Sequence, residues 1–140
     1  MRLFNGKISS NYRDVHLVVL DVIELLKLKC DLTDKNLLFT INFVLREVLN
    51  NAVEHGNRFD ESKKISITVD YELPKIIFTV QDEGEGFTMD EEHVSQDVNY
   101  VLRERNRGMQ LIRDMNFEVD VEHTQVRLVL DLKNEAGRKA

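Results

Sequence analysis

Cysteine, proline, glycine and tryptophan are all scarce in this sequence of 140 residues, which has one Cys, one Pro, six Gly and no Trp. A single cysteine, Cys30, allows neither an intrachain disulfide nor a zinc knuckle, so the fold must rely on its core. The low Pro and Gly content beside 42% hydrophobic residues excludes general disorder, because burial of that much apolar surface offsets the ordering entropy. The sequence therefore predicts one globular domain.

Long hydrophobic runs are also missing. No segment reaches the roughly 18–20 apolar residues that a membrane span needs, and the chain turns polar too early for a signal peptide. Acidic side chains outnumber basic ones by 25 to 19, and the net charge of −6 disfavours binding to nucleic-acid phosphates. We therefore expect a cytoplasmic protein that binds proteins or small ligands, with no direct nucleic-acid or membrane binding.

Two helices are predicted in the first half of the chain from apolar residues at three- and four-residue spacing. The first covers 12–29 and is capped by Ser10 or Asn11, and the second covers 34–55. Gly56 follows the second helix and is expected to end it in the left-handed conformation that glycine adopts at low cost.

Strands are predicted where apolar and polar residues alternate. They form an edge strand at 2–9, a hairpin that turns near Pro74, and two runs over 117–130 that follow a short helix at 108–115. This element order predicts an α+β two-layer sandwich, in which helices cover one face of a mixed, mostly antiparallel sheet.

The second helix carries polar residues near its end, inside an otherwise apolar pattern. Glu47 and Asn51 are four residues apart and therefore lie on one stripe. A carboxylate beside a carboxamide can orient a nucleophile through the Glu and hold a divalent ion through the Asn oxygen. Such pairs are also common on solvated helix faces, so this pair alone defines no site.

Two further segments indicate a nucleotide. Asp82 ends an apolar strand, where its carboxylate can accept a hydrogen bond from the exocyclic amine of a ring. Gly84 and Gly86 follow it and allow the chain to turn tightly around that ring. Basic residues over 103–107 lead into Gly108, where a helix N-terminus and guanidinium groups suit a triphosphate. Taken separately, these segments also fit a plain turn and a charged loop. The sequence contains no P-loop motif.

These elements in this order resemble the GHKL (Bergerat-fold) ATPases, and within them the compact anti-sigma factor serine/threonine kinases of bacteria. Residues 47–57 resemble the N box of the family, 82–87 its first glycine box and 107–112 its second. The resemblance implies a single ATP-binding kinase domain over 1–132, with 133–140 as a solvated tail.

The resemblance also implies individual roles. Asn51 is expected to coordinate Mg²⁺ that bridges the ATP phosphates, Glu47 to act as general base, and Asp82 to bind the adenine amino group. Either Arg105 or Arg107 is expected to reach the γ-phosphate as a catalytic residue. The remaining nucleotide-binding residues are expected to be His55, Gly56, Gly84, Gly86, Gly108 and Met109.

Residues 88–107 are expected to form a lid over the nucleotide, mobile in its absence, because they are charged and have few apolar anchors. The sequence departs from the family at Gln110, where the second glycine box often has another glycine.

The implied function is that of an ATP-dependent serine/threonine protein kinase that acts as an anti-sigma factor. It would bind a sigma factor and phosphorylate an anti-anti-sigma protein in a partner-switching system, and a homodimer is compatible with the resemblance. One alternative is a non-catalytic, nucleotide-gated protein-binding module, against which Glu47 argues. Another is a histidine-kinase-type catalytic domain, which needs a phosphoacceptor histidine. The helical candidate, His16, is expected to be a partly buried structural residue.

Overall fold

A computed structural model describes residues 1–84 and 110–133 of the chain. Residues 110–114 are helical and continue the helix predicted at 108–115. The predicted lid, Gly86, Arg105, Arg107, Gly108, Met109 and tail residues 134–140 lie outside the described residues. The strands and long helices, in chain order, are β1 (Arg2–Ser9), α1 (Tyr12–Cys30), α2 (Lys35–Asn51), a π-helical turn (Ala52–Gly56), β2 (Lys64–Glu72), β3 (Lys75–Gln81), β4 (Phe117–Glu122) and β5 (Gln125–Asp131).

The strands form one five-stranded sheet in the order β1-β2-β3-β5-β4, with β1 at an edge as predicted. The predicted hairpins are present, because β2 pairs with β3 and β4 pairs with β5. The α+β sandwich is confirmed. Where a mixed sheet is expected from the sequence, all four pairings between the described strands are antiparallel. Short hairpin connections account for two of these pairings, β2 with β3 and β4 with β5, since a parallel pair needs a crossover.

The core lies between one face of the sheet and the two helices. Alternate residues of the central strands point into it, and Phe78 on β3 is fully buried opposite Val69 and Leu128. Ile112 belongs to the same core and is fully buried, so it anchors the helical segment 110–114 to the sheet. The burial of Ile112 therefore fixes the position of this helical segment relative to the sheet.

Side-chain caps start both helices. Asn11 is the cap of α1, because its side chain accepts a hydrogen bond from the backbone N–H of Asp14 at 2.8 Å. Ser10, the other candidate, is buried instead. Asp34 caps α2, because its side chain accepts hydrogen bonds from the backbone N–H groups of Asn36 and Leu37. None of the helices within residues 1–84 and 110–133 combines the length and the apolar character of a membrane span.

The structure corrects the environment of His16. It is exposed rather than partly buried, because the buried stripe of α1 runs along another side of the helix. That stripe consists of Val15, Val18, Val19, Val22, Ile23 and Leu26. Apolar neighbours in sequence therefore do not place a helical residue on the buried face.

The end of the second helix also differs from the prediction. The α-helix stops at Asn51 and the chain continues through the π-helical turn, where the N–H of Asn57 donates to the carbonyl of Ala52 at 2.8 Å. Gly56 does not adopt the left-handed conformation; Arg58 and Phe59 do, with φ of 52° and 60°. A π-turn inserts one extra residue and re-aims those that follow, and such turns are frequent at functional sites.

Candidate functional site

Asn51 stands at the junction between α2 and the π-helical turn. Its side chain is only 6% exposed, and its Nδ2 has no hydrogen-bond partner within the described residues. Glu47, one helical turn earlier, is partly exposed. An unpaired buried amide is costly and needs an explanation. Because rotation of the carboxamide exchanges its oxygen and nitrogen, this position suits a ligand that binds either atom.

The first glycine box touches the end of the N box. A Cβ atom placed on Gly56 would lie 2.2 Å from Oδ2 of Asp82, and one on Gly84 would lie 2.1 Å from the carbonyl oxygen of Gly56. Only glycine fits at either position, for reasons of space rather than backbone conformation. The structure therefore brings together three of the residues that the sequence predicts to bind nucleotide.

Asp82 lies at the centre of this contact. It follows β3 directly and is 5% exposed. Its backbone N–H donates to the carbonyl of Thr124 at 3.1 Å, and its Oδ1 accepts from the N–H of Gly84 at 2.9 Å. A buried carboxylate held beside two residues without side chains can accept a hydrogen bond from the amine of a flat ring.

Sequence reasoning assigned no individual role to Asn57 or Glu83, yet both help to build the site. The Asn57 Oδ1 accepts from the backbone N–H of Glu83 at 2.8 Å. Its Nδ2 donates to Ser10 Oγ at 2.8 Å and to the Lys64 carbonyl at 3.1 Å. The Ser10 hydroxyl donates to the Lys63 carbonyl, and Glu83 Oε2 accepts from the Lys64 N–H. We call Ser10, Asn57 and Glu83 the polar clamp.

The structure also describes His55 of the N box and Gln110 of the second glycine box. His55 Nε2 lies 3.7 Å from Oε2 of Glu54, within the π-helical turn. Its predicted contact with nucleotide stays a prediction. Gln110 is exposed and its side chain donates to Asp114 at 3.1 Å, so the departure from the second glycine box lies at the surface.

Tyr12 connects the start of α1 to the π-helical turn. Its hydroxyl donates to Glu54, and its ring meets Phe59 edge to face at a centroid distance of 5.5 Å. The hydrogen bond to the Glu54 carboxylate raises the pKa of Tyr12 above the ordinary tyrosine value. The bond thus stabilises the fold below pH about 10, and this contribution is lost as the pH rises through the pKa in the folded protein.

We expect Glu54→Gln to bring the pKa of Tyr12 down toward the ordinary value, because a neutral amide favours the protonated hydroxyl less than a carboxylate does. Ultraviolet titration of the tyrosines measures this, and Tyr12→Phe identifies which transition belongs to Tyr12. A Tyr12 transition at the same pH in Glu54→Gln and in the wild type would contradict the assignment.

An antiparallel sheet covered by two helices, with a buried aspartate against two glycines, is the arrangement of a GHKL-type ATPase domain. Residues 8–133 match the sequence model described as the histidine kinase-like ATPase domain. The chain belongs to this family, which implies that it binds ATP.

A solved structure has the same fold. It is the histidine kinase domain from the Erythrobacter litoralis EL346 blue-light activated histidine kinase, which is 20% identical to this chain with a TM-score of 0.50. The match covers 71% of this chain and 46% of that one, so this chain spans less than half the length of its structural relative. No curated protein matches the chain.

Proposed function

We propose that this protein is an ATP-dependent serine/threonine kinase and anti-sigma factor that phosphorylates an anti-anti-sigma protein in a partner-switching system. The observation that carries the proposal is the buried carboxamide of Asn51, which has an unpaired Nδ2 in the described part of the chain and lies one turn from Glu47. Phosphoryl transfer to a hydroxyl needs a group that holds the metal and phosphates and a base that takes the proton of the hydroxyl. A carboxamide and a carboxylate one helical turn apart can supply these two functions.

The adenine end of ATP fits the contact between Gly56, Asp82 and Gly84. Asp82 would accept a hydrogen bond from the amino group of adenine, while both glycines allow the close approach of the two segments that holds this carboxylate in place. A purine with a carbonyl in place of that amine would set an acceptor against the carboxylate. The pocket should therefore prefer ATP to GTP.

The phosphate end fits the end of α2. Among the described residues, no group of three or more His, Cys, Asp or Glu is placed to hold a metal ion. In this proposal Mg²⁺ would be held by Asn51 together with the ATP phosphates, and when bound it neutralises their charge. Glu47 would take the proton from the attacking serine or threonine hydroxyl. Either Arg105 or Arg107 remains the predicted contact with the γ-phosphate.

Incubation with radiolabelled ATP, Mg²⁺ and an anti-anti-sigma-like protein tests the proposal. We expect acid-stable phosphate on a serine or threonine of the partner protein. ATP binding without transfer to such a partner would instead favour the nucleotide-gated binding module.

The exposure of His16 is the observation that favours the histidine-kinase alternative. That alternative predicts acid-labile phosphate on the protein itself when it is incubated with ATP alone. His16→Ala is the matched control, because it should abolish such labelling and leave transfer to a serine or threonine of the partner unchanged.

ATP with Mg²⁺ should stabilise the fold by about 2.7 kcal/mol at 100 times its dissociation constant. Asp82→Asn should lose most of this gain, because a neutral amide is a weaker acceptor for the adenine amine. GTP should give no comparable gain with the wild type. Thermal unfolding with each nucleotide measures these effects, and equal stabilisation by GTP and ATP would contradict the role of Asp82.

A further inference from the structure

We infer that Asn57 is a positioning residue for adenine recognition, because its carboxamide fixes the backbone on which Asp82 and Gly84 are carried. The inference rests on the proposed role of Asp82 and extends it to a side chain that does not itself contact the base. Asn57 is 1% exposed and directly follows Gly56. It therefore links the end of the N box to the first glycine box.

The acceptor side of Asn57 holds the glycine box. Its Oδ1 accepts from the N–H of Glu83, which stands between Asp82 and Gly84. The two residues are 26 positions apart in sequence, so the bond joins separate segments. On either side of it, Gly56 faces the Asp82 carboxylate and Gly84 faces the Gly56 carbonyl, both without room for a Cβ. A small displacement of Glu83 would therefore move the Asp82 carboxylate relative to Gly56.

The donor side of Asn57 prevents the carboxamide from turning. Its Nδ2 donates to Ser10 Oγ and to the Lys64 carbonyl. Reversing the amide would set its NH₂ against the Glu83 N–H and its oxygen against the Lys64 carbonyl. Ser10 is itself 1% exposed and its hydroxyl donates to the Lys63 carbonyl. The orientation of Asn57 is thus determined on both sides.

Glu83 closes the polar clamp from the opposite direction. Its Oε2 accepts from the Lys64 N–H at 2.6 Å, while its own N–H donates to Asn57. One of these hydrogen bonds holds the segment after β3 against the start of β2, and the other holds it against the residue that follows the π-helical turn. Removing the acceptor of one bond leaves the other bond in place. Only loss of the Asn57 oxygen removes the hydrogen bond to the backbone N–H next to Asp82.

The test compares Asn57→Ala with Val19→Ala, which opens space in the core at a fully buried position of α1 outside the polar clamp. Only Asn57→Ala removes the acceptor of the Glu83 N–H. We expect it to weaken ATP binding by about tenfold or more and to reduce the preference for ATP over GTP, since misplaced groups lose most of their contribution. Val19→Ala should lower the melting temperature and keep the ATP-to-GTP preference of the wild type, because it leaves the polar clamp intact. Titration of both nucleotides against each variant gives the two affinities.

Asn57→Ser is the second variant if Asn57→Ala does not fold. It keeps a polar group in the buried position, but its hydroxyl falls short of the Glu83 N–H, so it should show the same loss of preference. If Asn57→Ala, or Asn57→Ser where it is needed, keeps the wild-type preference for ATP over GTP, the inference about Asn57 is overturned. The proposed role of Asp82 would not be affected by that result. Absence of any ATP preference in the wild type would overturn the role of Asp82 and the inference that rests on it.

Discussion

Replacing Glu47 by glutamine is expected to slow phosphoryl transfer by roughly 10²–10⁴-fold while leaving ATP affinity nearly unchanged, the usual contribution of a positioned general base. The reason is that two residues on one stripe of α2 have separate proposed functions, Glu47 as the base and Asn51 as the ligand of Mg²⁺. Glu47 is partly exposed, as a base that acts on the hydroxyl of another protein needs to be, whereas Asn51 is buried at the helix end. Single-turnover transfer and ATP titration measure the two quantities separately.

Asn51→Ala should behave differently, because it removes the group proposed to hold Mg²⁺ with the phosphates. Both the affinity for Mg²⁺ and ATP and the rate of transfer should fall. Asn50→Ala is the matched control, since Asn50 is the preceding residue of α2 and is only partly buried. Loss of nucleotide binding in Glu47→Gln together with normal behaviour of Asn51→Ala would reverse the two assignments.

Gly84→Ala is expected to destabilise the protein by about 1–3 kcal/mol, the usual cost of forcing an extra carbon into a packed site. The added Cβ would meet a backbone oxygen, the carbonyl of Gly56, at 2.1 Å, and backbone moves aside less readily than the end of a side chain. The same shift would displace Asp82, whose Oδ1 accepts from the Gly84 N–H. We therefore also expect loss of the thermal stabilisation by ATP.

Gly6→Ala is the matched control for the effect of adding a methyl group. A Cβ on Gly6 would approach only the ring of Phe4, at 3.0 Å, on the edge strand β1. That partly buried ring can move, so stability and the response to ATP should stay close to those of the wild type. A normal response to ATP in Gly84→Ala would show that the glycine contact does not shape the nucleotide pocket.

Local patterns in the sequence are enough to predict the kinds of secondary-structure element and their layering. Alternation predicts β1 at 2–9, the hairpin near Pro74 and the two strands over 117–130, and each is confirmed. Three- and four-residue spacing likewise predicts both helices, and the order of motifs predicts the ATPase class that the family match shows. These features are local, because helical and strand periods depend on neighbours within a few residues.

The interior of the site depends on contacts between distant segments, which local patterns do not predict. The π-helical turn, the exposure of His16, and the role of Gly56 in close approach rather than in a left-handed turn all differ from the local prediction. The bond between Asn57 and Glu83 joins residues 26 positions apart. Such contacts depend on how the sheet and helices pack to within a fraction of an ångström, and no local period in the sequence encodes that distance.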